Sequence, residues 1–492
     1  MSIINVAAGD NLQTAINAAN LGDEVSIQVG ATFTGPFTLP NKTGASGLYL
    51  TIRAASLSGL PAGVRVNPSQ ASLMPKIASA GAAEAAIQTL AGAHHYKLIG
   101  LEIAPTNDQA FIYDLILLGS GDGNVQYTAA QTPHNLIIDR CYIHAYPTQS
   151  LKRGIALNSA STDITNSYVS DFKAVGQDSQ AIGGWNGPGP YNIINNHLEG
   201  SGEVILFGGA EPGLAGLVPS DILVQRNTLT KQVAWRGVWL CKNVFELKSA
   251  RRVQVVGNII ENNWADGQVG YPIVLTPGNG SALASAQVQD VLITNNVVRH
   301  AGAGVNILGY GYFGGTAQAS LQTNNISVVN NFFDDIDSVY WGGVGRFLQI
   351  TESNFITFDH NTVLHSNHVI LAYSAACQNF VFKNNIANHN EYGIYGDGYG
   401  SGNAAIAQYF PGSTILKNVI AGANSNSYPT DNFYPALLDL EASGRLKPDS
   451  LYLTSATDGT AVGCDFDALA LAMGLQARKL GGGGRLGGGA KF

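Results

Sequence analysis

Apolar and polar residues follow one another along this chain in a pattern that recurs. Apolar positions alternate with polar ones, an Asn follows, then one residue, an apolar residue, and a polar or glycine-rich stretch. It reads HNLIIDRCYI from 134, TDITNSYV from 162, YNIINNHL from 191, SDILVQRNTL from 220 and RRVQVVGNII from 251. It continues as QDVLITNNVV from 289, NNISVVNNFF from 324, SNFITFDHNTV from 353, QNFVFKNNIA from 378 and STILKNVI from 413. Superposed, these segments place Asn196, Asn227, Asn258, Asn296, Asn331, Asn361, Asn385 and Asn418 at one position, 24 to 38 residues apart. A period of two with Val, Ile and Thr in excess predicts strands. No helical pattern long enough for a βαβ unit separates them.

A chain of short strands at a repeat of this length predicts a solenoid whose parallel strands pair only with those of the neighbouring coil. Asn suits the corner between strands because it tolerates the left-handed conformation and its amide can bond the next Asn. At about 4.8 Å per coil, the repeats make a rod of roughly 50–60 Å. The fold class expected is all-β: one parallel β-helix in place of the three ordinary domains that 492 residues would otherwise suggest. Exposed strand edges at both ends need covers. Asp10 and Asn11 can cap a helix over LQTAINAA, with Leu12, Ile16 and Ala19 on one face. The organisation expected is an N-terminal cap and first rungs over 1–60, the β-helix over 61–450, a C-terminal cap with a helix in DFDALALAMGL over 451–478, and a Gly-rich tail over 479–492.

Composition narrows the function. Only 12% of residues are charged, 59 are Gly, and the formal charge is −8. That disfavours nucleic acid and anionic membranes as partners, since both need clustered Lys and Arg. No apolar run reaches membrane-spanning length, so no membrane insertion is expected. The opening Met1-Ser2-Ile3-Ile4 lacks the features of a secretory signal. Cys141, Cys241, Cys377 and Cys464 form no CxxC pair and are expected to be buried small side chains.

Candidate chemistry concentrates near residue 246. With Phe245 and Leu247 inward, Glu246 and Lys248 face outward, followed on the same face by Val274 and Thr276, then Asn306, then Gln349 and Thr351. Lys242, Lys248, Arg251 and Arg252 make a basic cluster in a charge-poor chain. Cleaving a uronate polymer by β-elimination needs a base for the C5 proton, a cation for the carboxylate and an acid for the leaving oxygen. Lys248 would be that base if neighbouring arginines lower its proton affinity, with Arg251 or Arg252 steadying the carboxylate. Aromatic planes pack on sugar rings, so Trp185, Trp239, Trp264, Tyr271 and Tyr310 are the expected substrate contacts, with GGWNGPGP forming a rigid protruding loop around Trp185. A hydrolase would need paired carboxylates, for which Glu203 and Glu246 on adjacent rungs are candidates.

The opening GDNLQTAINAANLGDEVSIQVGATFTGPFTLP, followed by the Asn rungs, resembles the pectin-lyase-like, right-handed parallel β-helix superfamily across nearly the whole chain. Within it the chain looks like bacterial proteins carrying LMPKI, GWNGPGP and FELKSARRV segments. That superfamily includes pectate, alginate and chondroitin lyases, polygalacturonases and phage tailspikes, and the resemblance implies polysaccharide as partner. NVFELKS is similar to the Lys-Ser segment of the alginate and chondroitin lyase branch, where the Lys is the base and nearby acidic or Asn groups hold calcium. The resemblance carries those roles to Lys248 and, for calcium, to Glu246, Asn243 and Asp266. The Arg that this branch has one rung later is replaced by Thr276 and Pro277. Three functions are thus expected: an extracellular or virion-borne uronate-polymer lyase, a non-catalytic glycan-binding spike, or a structural virion protein, with a homotrimer or virion assembly as the expected association.

Overall fold

The computed structural model describes residues 1–44, 47–81, 83–109, 111–278, 286–313 and 316–475; the Gly-rich tail lies outside the described residues. The chain coils through three long sheets in turn. Sheet one has 14 strands, from Ile3–Val6 to Thr414–Leu416, and carries the repeat's alternating segments. Sheet two, from Thr32–Thr34 to Val419–Ala421, follows the Asn corner, and sheet three runs from Phe37–Leu39 to Gly400–Ser401, each with 13 strands. Successive coils pair in parallel and in register: Ile222 faces Val253, which faces Val291, which faces Ile326. The inward positions, overwhelmingly Val, Ile, Leu and Phe, form one core continuous from Val6 to Tyr428. Period-two alternation thus becomes a solenoid because each coil buries its apolar face only against the coils beside it.

The corner asparagines stack as expected, with each side chain serving the neighbouring coil. The backbone N–H of Asn227 donates to Asn258 Oδ1 at 2.9 Å, and that of Asn258 to Asn296 Oδ1 at 2.9 Å. Each amide also donates backward, Asn258 Nδ2 to Val224 O at 2.9 Å. The ladder starts before the first Asn, where Cys141 N–H donates to Ser167 Oγ and Ser167 N–H to Asn196 Oδ1, and it ends on Asn432. The left-handed conformation falls one residue earlier than expected: Asn195, Arg226, Gly257, Asn295, Asn330 and Asn384 have φ between 53° and 65°. The ladder Asn needs extended backbone to continue into sheet two, so the preceding residue makes the turn.

At the start, helix α1 (Leu12–Ala18), capped by Asn11, buries Leu12, Ala15 and Ile16 in the first coils' end of the core. At the other end, helix α2 (Asn403–Tyr409) buries Ala405 and Tyr409, and Phe410 and Tyr428 join the core beside it. The helix expected to cover the last coil lies elsewhere. Helix α3 (Phe466–Ala472) runs back along the outside, with Phe466 and Leu469 packed on Val297 and Phe332 and with Ala472 O accepting from Arg226 Nε at 3.2 Å. An outward apolar pair on the corner gives it a better seat than the already covered end.

Removing the amide of Asn258 leaves two buried N–H groups of the preceding coil, the backbone and side-chain N–H of Asn227, without their acceptor, each costing about 1–3 kcal/mol. Asn258→Ala should therefore lower the urea midpoint well below that of the exposed substitution Asp290→Ala; equal midpoints would show that the ladder stabilises nothing.

Candidate functional site

The outward row of sheet three is where the sequence placed it. Leu206 pairs with Glu246, Glu246 with Val274, Val274 with Asn306, Asn306 with Gln349, Gln349 with Leu371, and Leu371 with Tyr395. Around Glu246 the face carries a charged network. Arg153 pairs with Asp114 and donates through Nε to Gln180 Oε1 at 3.1 Å, and Gln180 Nε2 donates to Glu203 Oε2 at 2.8 Å. Lys242 Nζ lies 2.8 Å from Glu203 Oε1 and 2.9 Å from Asp178 Oδ2. Asn243 Nδ2 donates to Glu246 Oε2 at 3.0 Å, and Lys248 Nζ stands 3.7 Å from Glu246 Oε1.

Burial divides this network into floor and mouth. Glu203 and Glu246 are 0% and 1% exposed, whereas the Lys248 side chain is 27% exposed. Burial pushes the Glu246 carboxyl above the usual range; Lys248 works against this and Glu203 adds to it. Burial also works against charge on Lys242, but Glu203 and then Glu246 outweigh it and hold the ammonium on. Beneath them Lys231, wholly buried, donates to four carbonyls, those of Gly200, Ser201, Gly202 and Asn243, at 2.6 to 3.0 Å. Its burial pushes its own proton affinity down. Nothing in the sequence marked Lys231, because its cage consists of backbone from two coils. Gln180 was missed since its strand, Gln180–Gly184, overlaps the Gly-rich segment expected to be a loop.

Several expected site residues are elsewhere. Arg251 and Arg252 belong to sheet one: Arg251 donates to Ser220 Oγ at 3.1 Å, and Arg252, at φ 53°, pairs bidentately with Asp221 at 2.6 and 2.7 Å. They do not flank Lys248. Trp185 is no protruding contact: only 185–188 connect two strands, its Nε1 donates to Gly121 O at 2.9 Å, and Arg153 stacks on its ring. Trp264 is buried with Trp235, Trp341 and Cys241, and Trp239 packs against that cluster. Tyr271 is buried too, its hydroxyl donating to Gln349 Oε1 at 3.2 Å. Tyr310 alone of the five expected contacts is exposed. Short loops on a rod must bury their large side chains to be held, and this explains the tryptophans.

The calcium set does not assemble. Asp266 accepts from Cys241 N–H at 2.8 Å in its loop, leaving Asn243 with Glu246. The two buried carboxylates already face ammonium groups, Glu203 that of Lys242 and Glu246 that of Lys248. Such a donor set carries its own countercharge and does not fit a hard divalent cation, which takes six or more oxygens.

No family model matches this chain, and no curated protein does. Solved structures do. A mannuronic acid specific polysaccharide family 6 lyase from human gut microbiota is similar over 96% of this chain and 99% of its own, with 12% identity and a TM-score of 0.52. This chain has the right-handed parallel β-helix fold. Pectate lyase Pel9A (12% identity, 94% of this chain and 96% of its own, TM-score 0.40) and the Dettilon tailspike protein (12% identity, 88% of this chain and 68% of its own, TM-score 0.43) are weaker likenesses.

Two stability measurements test the network. Lys242→Met strands a buried carboxylate and should cost about 3–5 kcal/mol, much of it regained when Glu203→Gln is added; an unchanged single variant would contradict the pairing. Glu246 binds its proton more tightly folded than unfolded, so its contribution is fully present below the ordinary carboxylate range and is lost as pH rises through the folded value. Glu246→Gln should match the parent near about pH 4 and exceed it increasingly toward about pH 8 in urea midpoints; a variant that falls behind as pH rises would reverse the sign.

Proposed function

We propose that this protein binds a uronate-containing polysaccharide along the outer face of sheet three and cleaves it by β-elimination. The observation that carries the reading is the partly exposed side chain of Lys248 at the mouth of a buried, charge-balanced cluster on that face. Support comes from the fold shared with a mannuronate lyase and from the Lys-Ser pair of NVFELKS. In its amine form Lys248 takes the C5 proton; the C–H electrons form the C4–C5 double bond, and the C4–O bond breaks with its electron pair on the leaving oxygen, which takes a proton from water while the Lys248 ammonium returns its own to solvent. Glu246 holds Lys248 in place, and Lys242, kept charged, supplies positive potential for the uronate carboxylate. The roles expected for Arg251, Arg252 and calcium have no part in this scheme. Action outside the cell or on a virion, alone or as a homotrimer, belongs to the same proposal.

A non-catalytic glycan-binding spike is the second reading. It is favoured by one observation, that both buried carboxylates are already paired and closed off from solvent. Incubation with pectate, alginate and glycosaminoglycans separates the two. The lyase reading expects ultraviolet absorbance from unsaturated uronate, lowered about 10²–10⁴-fold in Lys248→Ala as for a lost general base, and unchanged by chelator. Product that survives Lys248→Ala would overturn the mechanism, and no product from any polymer would favour the spike.

A further inference from the structure

Three coils beyond Glu246, or about 14 Å at the usual strand spacing, the same face carries a second polar patch. Between the two lie Val274 and Ala303, with Val344 packed on them, and the ring of Tyr271, whose hydroxyl donates to Gln349 Oε1 at 3.2 Å. The second patch is built on Gln349. Arg346 Nη1 donates to Gln349 Oε1 at 3.1 Å, and Gln349 Nε2 reaches Asn306 Oδ1 at 3.4 Å. Among the described residues no carboxylate lies within ion-pair distance of Arg346, and its Nε is buried without a hydrogen-bond partner. In a chain of net charge −8, a half-buried guanidinium with no anion is an unanswered charge.

One side of the patch is aromatic. His368, 7% exposed, lies with its ring centroid 5.1 Å from that of Tyr392 and 5.3 Å from that of Tyr395, and its Nδ1 is buried without a partner. Burial, then the nearby Arg346 charge, lowers its proton affinity to a pKa of about 4, with exposed Glu391 opposing, so near neutrality the ring is uncharged and does not compete with Arg346 for an anion. A planar guanidinium beside two primary amides recognises a carboxylate through several hydrogen bonds at once. Tyrosine and imidazole rings offer flat faces to sugar C–H groups and polar edges to hydroxyls.

We propose that Arg346, Gln349 and Asn306, walled by His368, Tyr392 and Tyr395, form a subsite for the carboxylate of a uronate unit in the polymer whose other units lie at Lys248. The assignment rests on the function proposed above for its substrate class and on this patch alone for its place. It means that the polymer runs parallel to the rod axis and that the enzyme holds it by an anionic unit several coils from the bond it breaks.

Calorimetric titration of the full chain with oligomannuronate and oligogalacturonate, and with their carboxyl-reduced neutral counterparts, tests the subsite. Arg346→Gln should weaken binding of at least one charged oligomer by about tenfold or more, as loss of a charge-assisted bidentate contact does, and leave the neutral ones unaffected. Arg346→Lys, which keeps the charge and loses the fork, should fall between. Parent-like affinity of a folded Arg346→Gln protein, or no binding of either charged oligomer to the parent, would overturn the subsite. Arg346-dependent binding without unsaturated product from any polymer would leave the subsite standing and reject the lyase. Lys248-dependent product with affinity and KM unchanged in Arg346→Gln would do the reverse.

Discussion

Every coil of this rod must turn a buried corner between sheets one and two, and the backbone N–H there has no strand to pair with. The amide of the next coil's asparagine meets that need from Asn196 to Asn432, and one coil earlier the Ser167 hydroxyl does the same for the N–H of Cys141. Because each amide bonds both a backbone group and the neighbouring amide, one coil cannot slip against the next without stranding several buried polar groups. Register follows. A shift of one residue would turn Glu246 into the core and Phe245 and Leu247 out. The alignment of Glu246, Asn306 and Gln349 on one face is therefore a consequence of the ladder on another edge of the coil.

A fixed register makes it possible to bury charge in a chain that has little of it. Glu203 and Glu246 are shut from solvent, and they tolerate this because Lys242 and Lys248 come from the same or the adjoining coil. The two carboxylates experience different neighbours. Glu203 has the close ammonium of Lys242 and the amide of Gln180, while Glu246 has an amide and a more distant amine, and burial pushes its carboxyl above the usual range. The apolar stretch beyond Val274 then separates this cluster from Arg346, so that the face presents two polar patches instead of a continuous charged groove.

The fold was legible because period two and the recurring Asn are local signals repeated many times, each instance checking the others. The outward face was legible for the same reason: in FELKS the alternation alone turns Glu246 out. Contacts between coils were not. Arg252 sits at a left-handed corner that directs it to Asp221 in the preceding coil, and a sequence cannot show that the corner lies there and not one residue away. The tryptophans looked like sugar platforms because loops are usually exposed, yet Trp235, Trp264 and Trp341 pack together to hold loops that have no other core. Lys231 and Arg346 carried no motif at all, since what gives each its character is backbone or amide groups from other coils. Helix α3 was visible from its Asp465 cap, but its seat on Phe332 was not.

The central claim is that sheet three's outer face is the saccharide surface. A crystal structure of the Lys248→Ala protein soaked with a uronate oligosaccharide tests it most directly. The account predicts sugar density along that face, with one unit beside residue 248 and a carboxylate at Arg346. Ordered sugar on sheet one or sheet two, with sheet three bare at saturating ligand, would contradict it.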